Sequence, residues 1–134
     1  MHETHLPRPT DAELAILRVL WRRGPSTVRE VQDDLQRQSP TGYTTVLKLL
    51  QIMTEKGLVV RDESSRAHVY KSRFPEEQMQ QRLVGDLLDR AFAGSTSRLV
   101  MQALSTRRAS REELAEIRQI LDDLDALEEE GDAP

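Results

Sequence analysis

The sequence predicts a mainly α-helical chain in two parts: three short helices closed by a β-hairpin, then three further helices. Three observations predict it. Threonine or serine followed three residues later by glutamate marks helix starts at Thr10, Thr27 and Ser110. In that pattern the hydroxyl caps a free helix N–H and the carboxylate reaches back to the cap's own N–H. Near the middle of the chain, two short runs rich in β-branched residues flank a polar turn, the signature of a hairpin. Aromatic residues are only 4% of the 134, so the core must come from Leu, Val, Ile and Ala.

Residues 1–9 hold two prolines and no periodicity, and read as a loose arm. His2 and His5 form an H-x-x-H pair there, but a metal site needs three or four preorganised ligands, and no metal or other cofactor is expected. The first helix opens at Thr10. Leu14, Leu17 and Trp21 share one face, with Leu20 beside them and Val19 in the same run. Arg22 and Arg23 suit its negative end, and Gly24-Pro25 stops it. In the second helix Val28, Val31 and Leu35 line one side, and residues 36–40 form a polar break. The third helix is expected from about Thr41 to Lys56, stopped by Gly57. Three short helices with tight turns are the skeleton of a helix-turn-helix domain.

At about 100° per residue, Val46, Leu49, Leu50 and Met53 of the third helix fall on one arc and should face the core. Thr41, Thr44, Thr45, Lys48, Gln51 and Glu55 fall on the other. That outer arc carries hydroxyls and one cation near its start and no acid before Glu55. The N-terminal residues of a recognition helix are the ones that touch base edges. Thr and Lys can hydrogen-bond bases or phosphates there, and the helix start attracts phosphate. Leu47 and Ile52 border the core arc, either extending the packing or presenting an apolar contact to DNA. The runs 58–61 and 66–71, with residues 62–65 as the turn, read as a wing, on which Arg61, Arg66 and Lys71 can bind phosphates. Asp62 and Glu63 oppose this or neutralise Arg66. His68 reads as structural.

The second part opens at Pro75. Met79, Leu83, Leu87, Leu88, Ala91 and Phe92 repeat at helical spacing. Leu99, Val100, Ala103 and Leu104 mark a fifth helix, with Ser95 as its cap. Leu114, Ile117, Ile120, Leu121, Leu124 and Leu127 mark a sixth, which runs into an acidic tail. This is more apolar surface than some 60 residues can bury on themselves. A helix-turn-helix dimer reads a two-fold palindrome, so residues 8–73 read as a winged helix-turn-helix DNA-binding domain and residues 75–130 as a helical dimerisation domain. Leu83, Leu87, Phe92 and Ile117 are candidate interface residues.

Net charge is −4, but it is divided. Residues 1–73 hold 12 Lys and Arg against 9 Asp and Glu, and residues 74–134 hold 7 against 14. A basic front and an acidic back suit a chain whose front alone meets a polyanion. The chain has no cysteine, which excludes disulfides and thiolate chemistry. No apolar run reaches the roughly 18–20 residues of a membrane span, and no signal peptide opens the chain, so no membrane insertion and a cytoplasmic location are expected. Without G-x-S-x-G, a phosphate loop or H-E-x-x-H, an enzyme is not expected.

Several segments together carry a resemblance. They are P-T-D-A-E-L-A-I-L-R-V-L-W (residues 9–21), G-P-S-T-V-R-E-V (24–31), T-G-Y-T-T-V-L-K-L-L-Q-I-M-T-E-K-G-L-V (41–59), R-A-H-V-Y (66–70) and L-L-D-R-A-F-A-G-S (87–95). In this order and spacing the chain resembles the penicillinase-repressor family (BlaI and MecI). The resemblance implies a homodimeric winged-helix repressor of palindromic double-stranded operator DNA, often controlling its own gene and β-lactam-response genes. Together with the outer arc of the third helix and the wing, this makes Thr41, Tyr43, Thr44, Thr45, Lys48, Arg61 and Arg66 the candidate DNA-binding residues. The resemblance also implies a sensor protease as partner, which leads to a cut in the fifth helix. The family's Asn–Phe cut in its staphylococcal members falls here on Gln102 and Ala103, a departure from that pattern. The branch that senses copper through C-terminal cysteines is excluded. Two other readings compete: a small-molecule-responsive regulator of the MarR type, and a winged-helix adaptor that binds only proteins.

Overall fold

The structure, a computed structural model, describes residues 6–131; the His2–His5 pair lies outside them. In chain order the elements are α1 (Asp11–Arg23), β1 (Ser26–Thr27), α2 (Val28–Gln36), α3 (Tyr43–Lys56), β2 (Val59–Asp62), β3 (Val69–Ser72), α4 (Glu76–Ala91), α5 (Thr96–Thr106) and α6 (Arg111–Gly131). The chain divides into two compact units, one up to Leu87 and one from Leu88 onward, with the division falling inside α4.

All three capping boxes form. Glu13 N donates to Thr10 Oγ1 at 3.2 Å and Thr10 N to Glu13 Oε1 at 2.9 Å. Thr27 with Glu30, and Ser110 with Glu113, repeat the reciprocal pair. Ser95 caps α5 through Arg98 N at 3.2 Å. The helix α3 ends on Gly57 with φ +83°, and the next amide, Leu58 N, returns to Met53 O at 2.9 Å. An L side chain strains in that backbone region, and a Cβ on Gly57 would also sit 3.0 Å from Arg73 Nη1.

The first unit has a single core. Ile16, Leu17 and Leu20 of α1, Val31 and Leu35 of α2, and Val46, Leu50 and Met53 of α3 pack with Leu58, Val59, Tyr70, Phe74 and Met79. Ile16 and Leu17 are fully buried and Leu20 is buried beside them, while Leu14 and Trp21 pack against the core only partly buried, so the buried face of α1 is shifted from the expected Leu14–Leu17–Trp21 line toward Ile16. Trp21 instead uses its indole N–H, which donates to Ser72 Oγ at 3.0 Å and Phe74 O at 3.1 Å. Leu49 and Leu47 are partly buried against the core, and Ile52 is exposed. Leu83, expected at an interface between copies, packs against this core.

The sheet has three strands in the order β1-β3-β2, all antiparallel. The register pairs Ser26 with Tyr70 and Thr27 with Val69 on one edge, and Arg61 with Tyr70 on the other. The strand β1 was not expected; its two residues double as the cap of α2. The first wing strand is displaced by one residue from the expected run, and the second is shorter than expected. Arg66, Ala67 and His68 lie in the turn before β3, because Ser64 N bonds Asp62 Oδ1 at 2.9 Å and bends the chain away from β2 immediately after Asp62.

In the second unit no side chain of α5 or α6 is buried. Val100, Met101, Leu104, Ile120, Leu121, Leu124 and Leu127 are exposed, while Phe92, Leu99, Leu114 and Ile117 are half-buried. Among the described residues no helix is long and apolar enough to cross a membrane, and no group of three or more His, Asp or Glu is placed to hold a metal ion.

Candidate nucleic-acid interface

The start of α3 is positioned from both ends. Gly42 is its N-cap and supplies no side-chain hydrogen bond, so the first N–H groups of the helix have no side-chain acceptor and keep their attraction for anions. At the other end Lys56 Nζ donates to Glu13 Oε1 at 2.6 Å. Burial alone would raise the pKa of Glu13, but hydrogen bonds from Lys56 and from the Thr10 N–H outweigh it and hold the carboxyl below its usual value. One charged pair therefore ties the start of α1 to the end of α3.

The helix begins two residues later than the sequence suggested, and Thr41 lies in the turn before it. The Thr41 carbonyl accepts from Gln32 Nε2 at 3.3 Å and Gln36 Nε2 at 3.2 Å, and its hydroxyl donates to Ser39 O at 3.0 Å. The two glutamines of α2 thereby hold the turn that leads into α3.

Two grooves flank α3 and sort its outer residues. Tyr43 and Leu47 line one groove toward the wing, of about 510 Å³. Thr41, Thr45 and Leu49 line another toward α1 and the α2–α3 turn, of about 250 Å³. Thr44, Lys48 and Gln51 are exposed and line neither, which makes them the outermost ridge. No carboxylate stands on α3 before Glu55.

On the wing, Arg61 Nη2 lies 3.1 Å from Glu63 Oε2. The Tyr70 hydroxyl and then Glu63 hold the guanidinium's pKa above its ordinary value. Glu63 therefore pairs with Arg61 rather than with Arg66, and His68 Nε2 lies 3.8 Å from its other oxygen. Arg66 makes no ion pair among the described residues and is exposed at the turn.

Sequence reasoning passed over Arg29. Its guanidinium carbon stands 5.8 Å from the centre of the Tyr43 ring, within cation–π range, which brings the start of α2 against the start of α3. A cation in the first turn of a helix opposes the helix dipole, and that was the available signal.

The penicillinase repressor family matches residues 9–123 of this chain. The chain belongs to that family. The transcriptional regulator BlaI of Mycobacterium tuberculosis is 33% identical over 122 residues, covering 90% of this chain and 88% of the relative. The penicillinase repressor of Bacillus licheniformis is 26% identical over 118 residues, covering 88% and 92%. Among solved structures, RosR of H. salinarum matches with a TM-score of 0.52 at 19% identity, over 89% of this chain and 92% of that one, a likeness of fold. Membership gives the winged helix-turn-helix its role: the family consists of transcriptional repressors rather than enzymes.

Proposed function

We propose that this member of the penicillinase repressor family is a homodimeric repressor that binds palindromic operator DNA through α3 and the wing. The observation that carries the reading is the outer ridge of α3. Thr44 and Lys48 project from the first two turns, no carboxylate precedes Glu55, and the helix start is left open by Gly42. A major groove accepts a helix presented this way, with Thr and Lys within reach of base edges and phosphates. Thr45 reads from the edge of the ridge, while Thr41 serves to hold the turn. Arg61 and Arg66 belong to the backbone contacts, and Arg61 must exchange Glu63 for phosphate to make its own.

A palindrome requires two copies. The exposed apolar residues of α5 and α6, with Leu87 and the half-buried Phe92 and Ile117, are of the kind a second copy would cover. The family suggests β-lactam-response genes and the repressor's own gene as targets, and a sensor protease as the route to release. Gln102 and Ala103 are exposed but helical within α5, so cutting that bond requires α5 to unwind locally.

The test is selection of duplexes from a random pool, followed by gel-shift titration. The expected product is an inverted repeat with half-sites about one DNA turn apart, bound more weakly as salt rises. Lys48→Ala should change the selected sequence, whereas Arg66→Ala should weaken all sequences alike. Selection of no sequence, together with DNA affinity that ignores salt, would sink the reading and favour the protein-binding adaptor.

A further inference from the structure

We propose that the groove between the start of α2, the start of α3 and the wing turn is a backbone-phosphate clamp for one DNA strand, with Arg29 as its principal cation. The inference rests on the operator-binding reading and assigns a residue that reading leaves unused.

The groove is open and holds about 510 Å³. Its polar lining is Thr27, Arg29, Arg66 and His68, with the Tyr43 ring among them, and no Asp or Glu lines it. Neither guanidinium is engaged by a carboxylate among the described residues, unlike Arg61 with Glu63 or Arg22 and Arg23 with Asp34. Two unneutralised guanidiniums therefore face one concave surface from opposite sides, one from α2 and one from the wing turn.

Arg29 occupies the second position of α2, where it opposes the helix dipole. That position is unfavourable until an anion arrives, because the same helix end and the same cation then both attract it. Stacking on Tyr43 at 5.8 Å limits where the guanidinium can go. Arginine is suited to this arrangement: its flat face rests on the ring while its N–H edge remains available for a phosphate oxygen. Tyr43 is 44% exposed, so the stack stands at the surface that DNA would meet. The clamp lies beside the Thr44–Lys48 ridge, so a strand held in it would fix the depth at which that ridge enters the groove.

The test compares Arg29→Gln, Arg29→Lys and the wild-type chain by fluorescence anisotropy. The probes are a duplex selected by the wild type and a duplex of scrambled sequence, each across a salt series. R29Q should lose about tenfold in affinity for both duplexes equally, and the slope of log K against log salt should fall by about 0.9 per bound copy. R29K keeps the charge and should keep the wild-type slope. Thermal melts of the free variants check that each folds. Wild-type affinity and slope in R29Q, with the wild type binding normally, would overturn the clamp and leave the operator reading standing. Absence of salt-dependent binding in the wild type would overturn both. A salt slope in R29K as low as in R29Q would show that the charge at this position does not hold phosphate, and would also overturn the clamp. Inorganic phosphate at millimolar concentration and fixed ionic strength should leave the melting temperatures of wild type and R29Q unmoved relative to each other. Stabilisation of the wild type alone would reassign the groove to a free anion.

Discussion

The two units of this chain are built of the same kinds of residue and use them in opposite ways. Up to Leu87, aliphatic side chains from every helix meet inside, and Ile16, Leu17, Val31, Val46, Leu50 and Met53 have no solvent exposure. From Leu88 onward, α5 and α6 hold comparable leucines and isoleucines, yet none is buried and Leu127 remains 63% exposed. The difference teaches where stability resides. The first unit carries a complete core of its own. The apolar surface of the second gains its free energy only when something covers it.

The sharpest way to break this contrast is a cavity in the first core. Leu50→Ala should cost about 3 kcal/mol of unfolding free energy, read by urea denaturation. A loss below about 1 kcal/mol would mean that the core is not close-packed there. Next comes Glu13→Gln, which removes the partner of Lys56 and should cost about 2 kcal/mol. The variant also carries a pH signature. The folded state holds Glu13 below its usual pKa, so its contribution is fully present above the unfolded value and fades as pH falls through the folded one. Wild-type stability should therefore drop more steeply in acid than that of E13Q, and parallel acid limbs would refute the assignment.

Thr27→Ala removes the hydroxyl that caps α2 and should cost about 1 kcal/mol. The smallest expected effect on the fold is Leu124→Ala, at a side chain 56% exposed. Within an isolated chain it should cost under about 0.5 kcal/mol. On the self-association proposed above, it should nonetheless raise the dimer dissociation constant in sedimentation equilibrium. A folding cost like that of L50A, with no change in association, would erase the distinction between the units.

Much of the first unit was legible because its signals are local. Each capping box declares a helix start within four residues, and Val46, Leu50 and Met53 repeat at a helical period that leaves one face for the core. What escaped was non-local. The two-residue β1 has no periodicity of its own, and only its pairing with β3 makes it a strand. Ile16 is buried because α1 is rotated by its neighbours, which the spacing of Leu14, Leu17 and Trp21 cannot report. The Glu13–Lys56 pair joins residues 43 positions apart, and Glu13 already had a sufficient local role as a capping residue. Arg29 was hidden in the same way: inside T-V-R-E it reads as the spacer of a cap, and only the fold sets it over Tyr43.

The short strand β1 has one more consequence. Because Ser26 and Thr27 pair with β3 on the side away from β2, the middle strand of the sheet is paired on both sides at Val69 and Tyr70. Its backbone amides should then exchange with deuterium only when the whole first unit opens. Residues 63–68 at the wing tip belong to no strand, and apart from Ser64, whose amide is held by Asp62, their amides should exchange much faster. The wing would thus behave as a stiff handle with a softer fingertip, and on the DNA-binding reading proposed above that tip could settle onto uneven DNA without loosening the helices behind it.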